Sequence, residues 1–462
     1  MRPVGLVSSA LVLLSVAPTG LGPAAPVTSD PRTGILVAVS EVAADRATLW
    51  VRADDAAPVR VRYGPDAADA PVAERQAVPA ADRDFTIAFG LGDLQPGTRY
   101  AYEVTQGGAT VRGSLPTAPA PTADAAVRLL WSADLGGGGR CRDVEDGYRI
   151  FAPMTARRAD FFLFVGDTIY ADHLCGPRPH AAGSDFVARS VAEFYAKHRY
   201  NRADAAFQRF LRGTPVYATW DDHEVRNNFA GPHEPFMAAG RQAFVDYWGI
   251  AGPRAEPQRL YRRVRWGRHV EVFILDTRQY RSSNWTADGP WKTMLGEAQR
   301  AWLLDGLAES SATWKLIVSS VPLGMFTGGG AADAWSNANL FGFPRHTGTG
   351  FVWERDLILR ELRARGVRNV IFVAGEAHHG ELIRYEPFPD WVFHEFVAGP
   401  LAARQSFPHP LDRSLGPRSL GSLGWADNFG EIVADGATLH ARIYDVAGVV
   451  RASVRLSAGA SR

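Results

Sequence analysis

Five apolar runs in this sequence end on side chains that bind metals or carry protons. Leu129-Leu130-Trp131-Ser132 stops at Ala133-Asp134, and Phe161–Val165 stops at Gly166-Asp167. Val216–Trp220 runs into Asp221-Asp222-His223-Glu224, Val272–Leu275 into Asp276-Thr277-Arg278, and Val370–Ala374 into Gly375-Glu376-Ala377-His378-His379. A single such ending is ordinary, because Asp is a common turn residue. Repeated five times, it describes one edge of an open α/β sheet, where ligands bind beyond the carboxyl ends of the strands. Carboxylates mixed with imidazoles suit hard or borderline cations. Without cations, converging carboxylates would repel one another strongly. Two ions about 4 Å apart can clamp a phosphoryl group and generate hydroxide near neutral pH. That chemistry fits phosphate-ester hydrolysis, and the residue types alone fit other metal-assisted hydrolyses as well.

The elements that must position these residues fall into two zones. From Gly34 to Thr117 short runs such as Ala47–Val51, Val59–Tyr63 and Thr98–Val104 alternate with period two, separated by Gly64-Pro65-Asp66 and Gln95-Pro96-Gly97. This pattern predicts a β-sandwich over residues 32–118. A Pro-rich stretch, Pro116 to Thr122, then marks a stiff linker, placed at 119–126, before an α/β domain spanning 127–458. Helices are expected around Ser190–Leu211, Glu297–Leu307 and Trp353–Arg363. The tail, around the turn Asp445 to Gly448, should add two closing antiparallel strands.

Composition excludes several roles. The 462-residue chain is 46% hydrophobic with a net charge of +1, so it lacks the basic excess of a nucleic-acid scaffold. No apolar run long enough for an integral membrane segment follows the N-terminus. Arg2, the apolar stretch Val4–Ala17 and the small residues after it read as a secretory leader within residues 1–31. A secreted or cell-envelope location and a monomeric state are expected.

Three longer blocks carry a family resemblance. Gly166-Asp167-Thr168-Ile169-Tyr170-Ala171-Asp172, Trp220-Asp221-Asp222-His223-Glu224-Val225-Arg226-Asn227-Asn228 and Leu275-Asp276-Thr277-Arg278-Gln279-Tyr280-Arg281 resemble the signature blocks of PhoD-like alkaline phosphatases, a branch of the calcineurin-like metallophosphoesterases. An Asn428-Phe429-Gly430 stretch before the last strands belongs to the same likeness, as does Leu94–Tyr100, which resembles the corner of fibronectin type III-like domains. The resemblance implies a four-layer α/β/β/α catalytic domain preceded by a fibronectin type III-like β-sandwich. It also implies a metal-dependent hydrolase of phosphate mono- or diesters that uses metal-bound hydroxide, with calcium and iron as cofactors. Zinc or manganese remain compatible.

Residue by residue, the resemblance makes Asp167 a carboxylate bridging two metals and Tyr170 a phenolate ligand suited to ferric iron. It makes Asp222 and His378 further ligands and His223 the candidate general acid for the leaving oxygen, or a phosphate clamp, with Glu224 able to orient it. Asn228, Arg140 and Arg278 are candidate phosphate contacts, Arg278 being read mainly as an ion pair with Asp276. His379 is expected near the site without ligating. Two positions depart from the family pattern: Asp134 stands where many relatives have a Cys ligand, and Glu376 where they usually have Asp. The two cysteines, Cys141 and Cys175, follow strand-end loops at the same edge. A disulfide between them is expected in an exported protein, the alternative being Cys141 as a metal ligand. Two other functions remain open: a phospholipase D-type phosphodiesterase acting on lipids or wall polymers, and a non-catalytic envelope-binding protein on a degenerate phosphatase fold.

Overall fold

Alternate residues of the central strands face different cores, and this alternation builds the layers. The computed structural model describes residues 34–67, 70–327, 334–337 and 350–459. The leader expected at residues 1–31 lies outside them. The first strands are β1 (Leu36–Ser40), β2 (Ala47–Arg52), β3 (Val59–Pro65), β4 (Ala73–Ala77), β5 (Thr86–Leu91), β6 (Arg99–Gln106) and β7 (Ala109–Pro116). Next come β8 (Val127–Ser132), β9 (Phe161–Val165), β10 (Val216–Thr219), β11 (Arg262–Trp266), β12 (Val270–Ile274), β13 (Trp314–Ser319) and β14 (Val370–Ala374). The last are β15 (Gly380–Phe388), β16 (Trp391–Val397), β17 (Pro417–Leu423), β18 (Asn428–Asp435), β19 (Thr438–Asp445) and β20 (Val450–Ser457).

A nine-stranded sheet has the order β20-β19-β18-β8-β9-β10-β1-β2-β5, and a seven-stranded sheet the order β11-β12-β13-β14-β16-β15-β17. Strands β8, β9 and β10 are parallel, as are β12, β13 and β14. Within β9, Phe161, Leu163 and Val165 point into a core shared with Val270, Val272 and Ile274 of β12. The alternate residues Phe162 and Phe164 pack instead against Phe194, Phe207 and Phe210 on the helices outside the sheet. On the far side, Phe273 and Ile317 pack with Leu303 and Leu359 of the outer helices of the second sheet. Helix, sheet, sheet and helix therefore stack in four layers.

The outer helices are α1 (Phe151–Ala156), α2 (Val191–Arg202), α3 (Ala205–Leu211), α4 (Met237–Trp248), α5 (Glu297–Glu309) and α6 (Val352–Ala364). The stretch read as one helix from Ser190 is two. Ser190 opens α2 with a capping box to Glu193, and Asp204 interrupts it by accepting from the Phe207 N–H to cap α3.

The N-terminal strands divide between sheets. β1, β2 and β5 extend the nine-stranded sheet, with β1 joining β10 at Ser40 and Val216. A four-stranded sheet, β4-β3-β6-β7, shares a core with them through Val37, Leu49, Val61 and Val104. Tyr100 Oη accepts the Gln95 N–H at 2.8 Å, holding the chain reversal before β6. The Pro-rich stretch after β7 is bound to the β11–β12 turn, where Gly267 N–H donates to Pro119 O and Arg268 N–H to Ala123 O. The tail forms β19 and β20, paired antiparallel at the outer edge of the large sheet.

Candidate metal centre

Asp134, Asp167 and Glu376 each lie two residues beyond a parallel strand, where the backbone turns sharply. Asp134 (φ 64°), Asp167 (φ 50°), Asn228 (φ 59°), Glu376 (φ 61°) and His378 (φ 54°) all adopt left-handed conformations. Each costs a non-glycine residue on the order of 1 kcal/mol, and such outliers cluster at functional sites. Two glycines make room for the side chains. A Cβ on Gly137 would lie 2.2 Å from the Tyr170 ring, and one on Gly399 would lie 2.4 Å from Asp134 Oδ2. Asn428 grips the Gly399 backbone on both sides, accepting its N–H and donating to its carbonyl. The Asn428-Phe429-Gly430 stretch thereby shapes the wall around Asp134.

The sheet edge gathers the expected residues into adjoining clusters. Ligand atoms of Asp134, Glu376 and His378 lie within 4.8 Å of one another, as do those of Asp221, Asp222 and Glu376, and those of Asp167, Asp222 and His223. Glu376 and Asp222 each belong to two clusters, so the groups are contiguous. Tyr170 is buried beside them, its hydroxyl 3.5 Å from His378 Nε2 and its ring stacked on His223 at 4.2 Å.

Electrostatics make this arrangement unstable without cations. Asp134 Oδ1 and Oδ2, Asp167 Oδ2 and Asp222 Oδ1 are buried with no hydrogen-bond partner among the described residues. Burial, reinforced by the neighbouring carboxylates Asp221 and Asp222, pushes the carboxyls of Asp134 and Asp167 well above the usual range. Burial also raises the Tyr170 hydroxyl strongly, with Asp167 and Asp134 adding to it. Bound cations reverse all three effects, so the donor set fits metal ions: carboxylates, one phenol and imidazole, with no thiolate. His378 Nδ1 is hydrogen-bonded to Arg404 O, which leaves Nε2 facing the cluster as a lone-pair donor. Burial lowers its pKa to about 3, so it stays neutral.

His223 is held differently. Its Nδ1 lies 2.7 Å from Asp172 Oδ1, and its backbone N–H donates to Asp167 Oδ1 at 3.2 Å. Burial opposes its protonation, but the Asp222 and Asp172 carboxylates outweigh burial and raise its pKa to about 9. Glu224 does not orient it. Both Glu224 oxygens accept from the turns instead, from Thr168 N–H and Oγ1 and from Asp221 N–H, because the side chain points under the strand ends.

Arg278 also differs from the sequence expectation. It is fully buried, and its Nε donates to Asp221 Oδ1 at 2.6 Å rather than to Asp276. Asp276 instead caps its own turn, accepting from Arg278 N–H, Gln279 N–H and Trp220 Nε1. Arg140 spends its guanidinium on a two-point ion pair with Asp427 and on Ala403 O. Asn228 N–H donates to Asp222 Oδ2 at 2.6 Å, fixing that carboxylate from the backbone. His379 faces Glu381 at 3.1 Å and belongs to none of the clusters. Cys141 and Cys175 are joined in a disulfide, so Cys141 is not a thiolate ligand.

Three residues join the site that the candidate set omitted. Asp172 and His173 form a further group with His223, and Asp221 joins Asp222 and Glu376. Asp172 and Asp221 stood inside the sequence blocks quoted above. Asp172 lies five residues beyond Asp167, and only the loop path shows that its carboxylate returns to His223. His173 Nδ1 accepts the Gly138 N–H at 3.2 Å, and no sequence pattern marked it.

Comparison with known proteins agrees with this arrangement. The model of a family described as PhoD-like phosphatase matches residues 139–440, more than half of the chain. "Alkaline phosphatase D" of Bacillus subtilis (strain 168) is 26% identical over 318 residues, covering 62% of this chain. The match spans about half, 52%, of that curated relative's own length. A solved structure described as PhoD superposes with a TM-score of 0.74 at 18% identity, over 95% of this chain and 94% of that one. Purple acid phosphatase PPD1 from seeds of yellow lupin (Lupinus luteus) superposes with a TM-score of 0.58 at 12% identity, covering 91% and 74%. At these identities the two superpositions speak for a shared fold.

Proposed function

This chain belongs to the PhoD-like phosphatase family, and on that premise we propose that it hydrolyses phosphate esters at the carboxylate cluster beyond β8, β9, β10 and β14. The observation that carries this reading is the set of buried oxygens on Asp134 and Asp167 that have no hydrogen-bond partner among the described residues. Asp134, Asp167, Tyr170, Asp222, Glu376 and His378 would hold the metals, with Asp221 beside them. Metal ions held there would supply charge neutralisation on the phosphoryl group and a lowered pKa for water that attacks phosphorus. Calcium with iron is the pair the family resemblance suggests, and the oxygen-plus-nitrogen donor set also accepts zinc or manganese.

The protein's own groups do the rest. His223 donates its Nδ1–H to Asp172, and the Asp222 and Asp172 carboxylates favour the imidazolium, whose second proton at Nε2 is the one given to the leaving oxygen. Asn228 N–H keeps Asp222 turned into the cluster. Arg278, buried on Asp221, sets the position of a carboxylate rather than touching substrate. We read the N-terminal strands as a fibronectin type III-like sandwich ending near residue 118, with the catalytic portion beginning near 127. Export fits the disulfide, and no helix among the described residues is long and apolar enough to cross a membrane.

One observation favours diesters with a bulky apolar group. Phe407 and Trp425 are 55% and 68% exposed, with ring centroids 6.3 Å apart. Trp425 N–H donates to Ser406 O, and Ser406 N–H to His378 O, so this pair stands beside a candidate metal ligand. The test is turnover of a chromogenic monoester, its bis-ester and phosphatidylcholine vesicles by metal-loaded protein. Hydrolysis of none of the three would overturn the hydrolase reading and favour an envelope-binding role.

A further inference from the structure

A separate cavity of about 520 Å³ lies on the helical side of the large sheet, between β1, α2 and α3. It shares no residue with the metal clusters. Arg52, Arg142, Arg199 and Arg212 all line it, and Asp54 is the one carboxylate among the described lining residues. Two of these arginines already have a counter-ion. Arg52 and Arg199 both bind Asp84, which also accepts from the Tyr247 hydroxyl. The other two have none among the described residues. Arg142 donates to Tyr200 O and lies over the Tyr200 ring at 4.8 Å. Arg212 is 4% exposed, yet its Nε is buried with no hydrogen-bond partner among the described residues.

The neighbouring side chain repeats the deficit. Gln208 lies one helical turn before Arg212 and is also 4% exposed. Its Oε1 accepts the Val37 N–H at 3.1 Å, whereas its Nε2 is buried without an acceptor among the described residues. The cavity thus presents donors and positive charge with too few acceptors. A buried, uncompensated guanidinium costs the fold stability. A ligand that is rich in acceptors and negatively charged would satisfy Arg212, Gln208 and Arg142 together.

We infer that this cavity is an anion site for a phosphoryl group, either orthophosphate or the phosphoryl end of an organic phosphate, distinct from the metal centre. Guanidinium forks match phosphoryl oxygens in geometry and charge, and the volume leaves space beside the arginines for an organic substituent. The inference does not depend on the hydrolase reading. It does reach the metal centre structurally. Asn201, on α2 between Arg199 and the helix end, donates to Leu135 O and Thr168 O, in the loops that carry Asp134 and Asp167.

Equilibrium dialysis of the full, metal-loaded chain against orthophosphate and, separately, benzylphosphonate tests the site. The phosphonate carries a phosphorus–carbon bond that ester hydrolysis does not cleave. Wild-type protein should bind at least one of them at a second place besides the metal centre. Arg212→Gln and Arg142→Gln should each weaken that second binding by about tenfold or more while the turnover number on a chromogenic ester is retained. The source follows from the arm that saturates: orthophosphate alone indicates the free ion, and tighter phosphonate binding indicates an organic phosphate.

Thermal unfolding supplies a readout that a purely structural arginine would move in the opposite direction. Removing an uncompensated buried charge should raise the melting temperature of unliganded Arg212→Gln and abolish the rise that the anion gives wild type. A single class of binding site unaffected by either substitution would overturn the inference. So would an Arg212→Gln protein that melts lower without ligand and binds the anion as wild type does. If Arg212→Gln does not fold, Arg142→Gln alone decides.

Discussion

Asp172, five residues beyond Asp167, places its Oδ1 2.7 Å from His223 Nδ1. The contact fixes the tautomer and the tilt of a ring that packs against both Tyr170 and His173, at 4.2 Å and 4.6 Å, while those two rings also touch each other. If His223 protonates the leaving group, Asp172 acts through it as a positioning residue. Asp172→Asn should then lower the turnover number by about tenfold or more, within the range for loss of a well-placed general acid. Metal content should stay at the wild-type value. The loss should be larger for an alkyl phosphate, whose leaving oxygen needs the proton, than for a nitrophenyl ester, whose leaving group does not. Equal losses on both esters would remove His223 from the acid role.

Metal removal should change the pH dependence of stability in sign as well as size. The carboxyls of Asp134 and Asp167 are raised by burial and by like charge in the absence of cations. A carboxyl with a raised native pKa binds more protons folded than unfolded, so stability increases as pH falls through the native value. Chelated protein should therefore melt higher as the pH is lowered from alkaline to mildly acidic. The metal-loaded protein should melt higher than the chelated one at alkaline pH, with the gap closing on acidification. Asp167→Ala should bind less metal by elemental analysis and turn over no ester.

Elsewhere the sign is the ordinary one. Asp412 is buried against the fully buried Arg355 at 2.8 Å and also accepts from Ser336 and Ser414. Burial alone would raise its carboxyl, but Arg355 and the two serines hold it below the usual value. That stability is present above the ordinary carboxylate range and lost as pH falls through the depressed native value. Asp412→Ala should cost about 3 kcal/mol, because it strips a buried guanidinium of one partner. Asp356, also 2.9 Å from Arg355, keeps the loss at the lower end. Urea unfolding at neutral and acidic pH measures both.

The disulfide joins two loops that wall the centre. Cys141 follows the glycine loop packed on Tyr170, and Cys175 follows Asp172 and His173, the bond closing 34 residues of chain. Cys141→Ser with Cys175→Ser should lower stability by roughly 3–4 kcal/mol by the chain-entropy relation. Wild-type protein should resist alkylation until reduced, as intact mass will read.

Gly137 offers the sharpest steric test. A methyl group there would sit 2.2 Å from a ring carbon of Tyr170, a stiff neighbour already stacked on His223. Gly137→Ala should displace the phenol, reducing metal retention and turnover together while leaving the circular dichroism of the fold intact.

Local patterning was enough to mark the strands that end in carboxylates and the chemistry those endings imply. Period-two alternation and four-to-six-residue apolar runs are local signals of burial, so β8, β9, β10, β12 and β14 were legible with their terminal Asp134, Asp167, Asp222 and Glu376. The partners of those residues were not legible, because partnership is set by loop paths and left-handed turns rather than by spacing. The folded chain shows that Asp172 and not Glu224 holds His223, and that Arg278 pairs with Asp221 and not Asp276. It likewise shows that Arg140 is committed to Asp427, and that β1, β2 and β5 extend the sheet carrying the metal cluster. A side chain's ion-pair partner depends on which charges lie within a few ångströms after folding. Residues separated by tens or hundreds of positions contribute those charges, and a one-dimensional pattern records none of them.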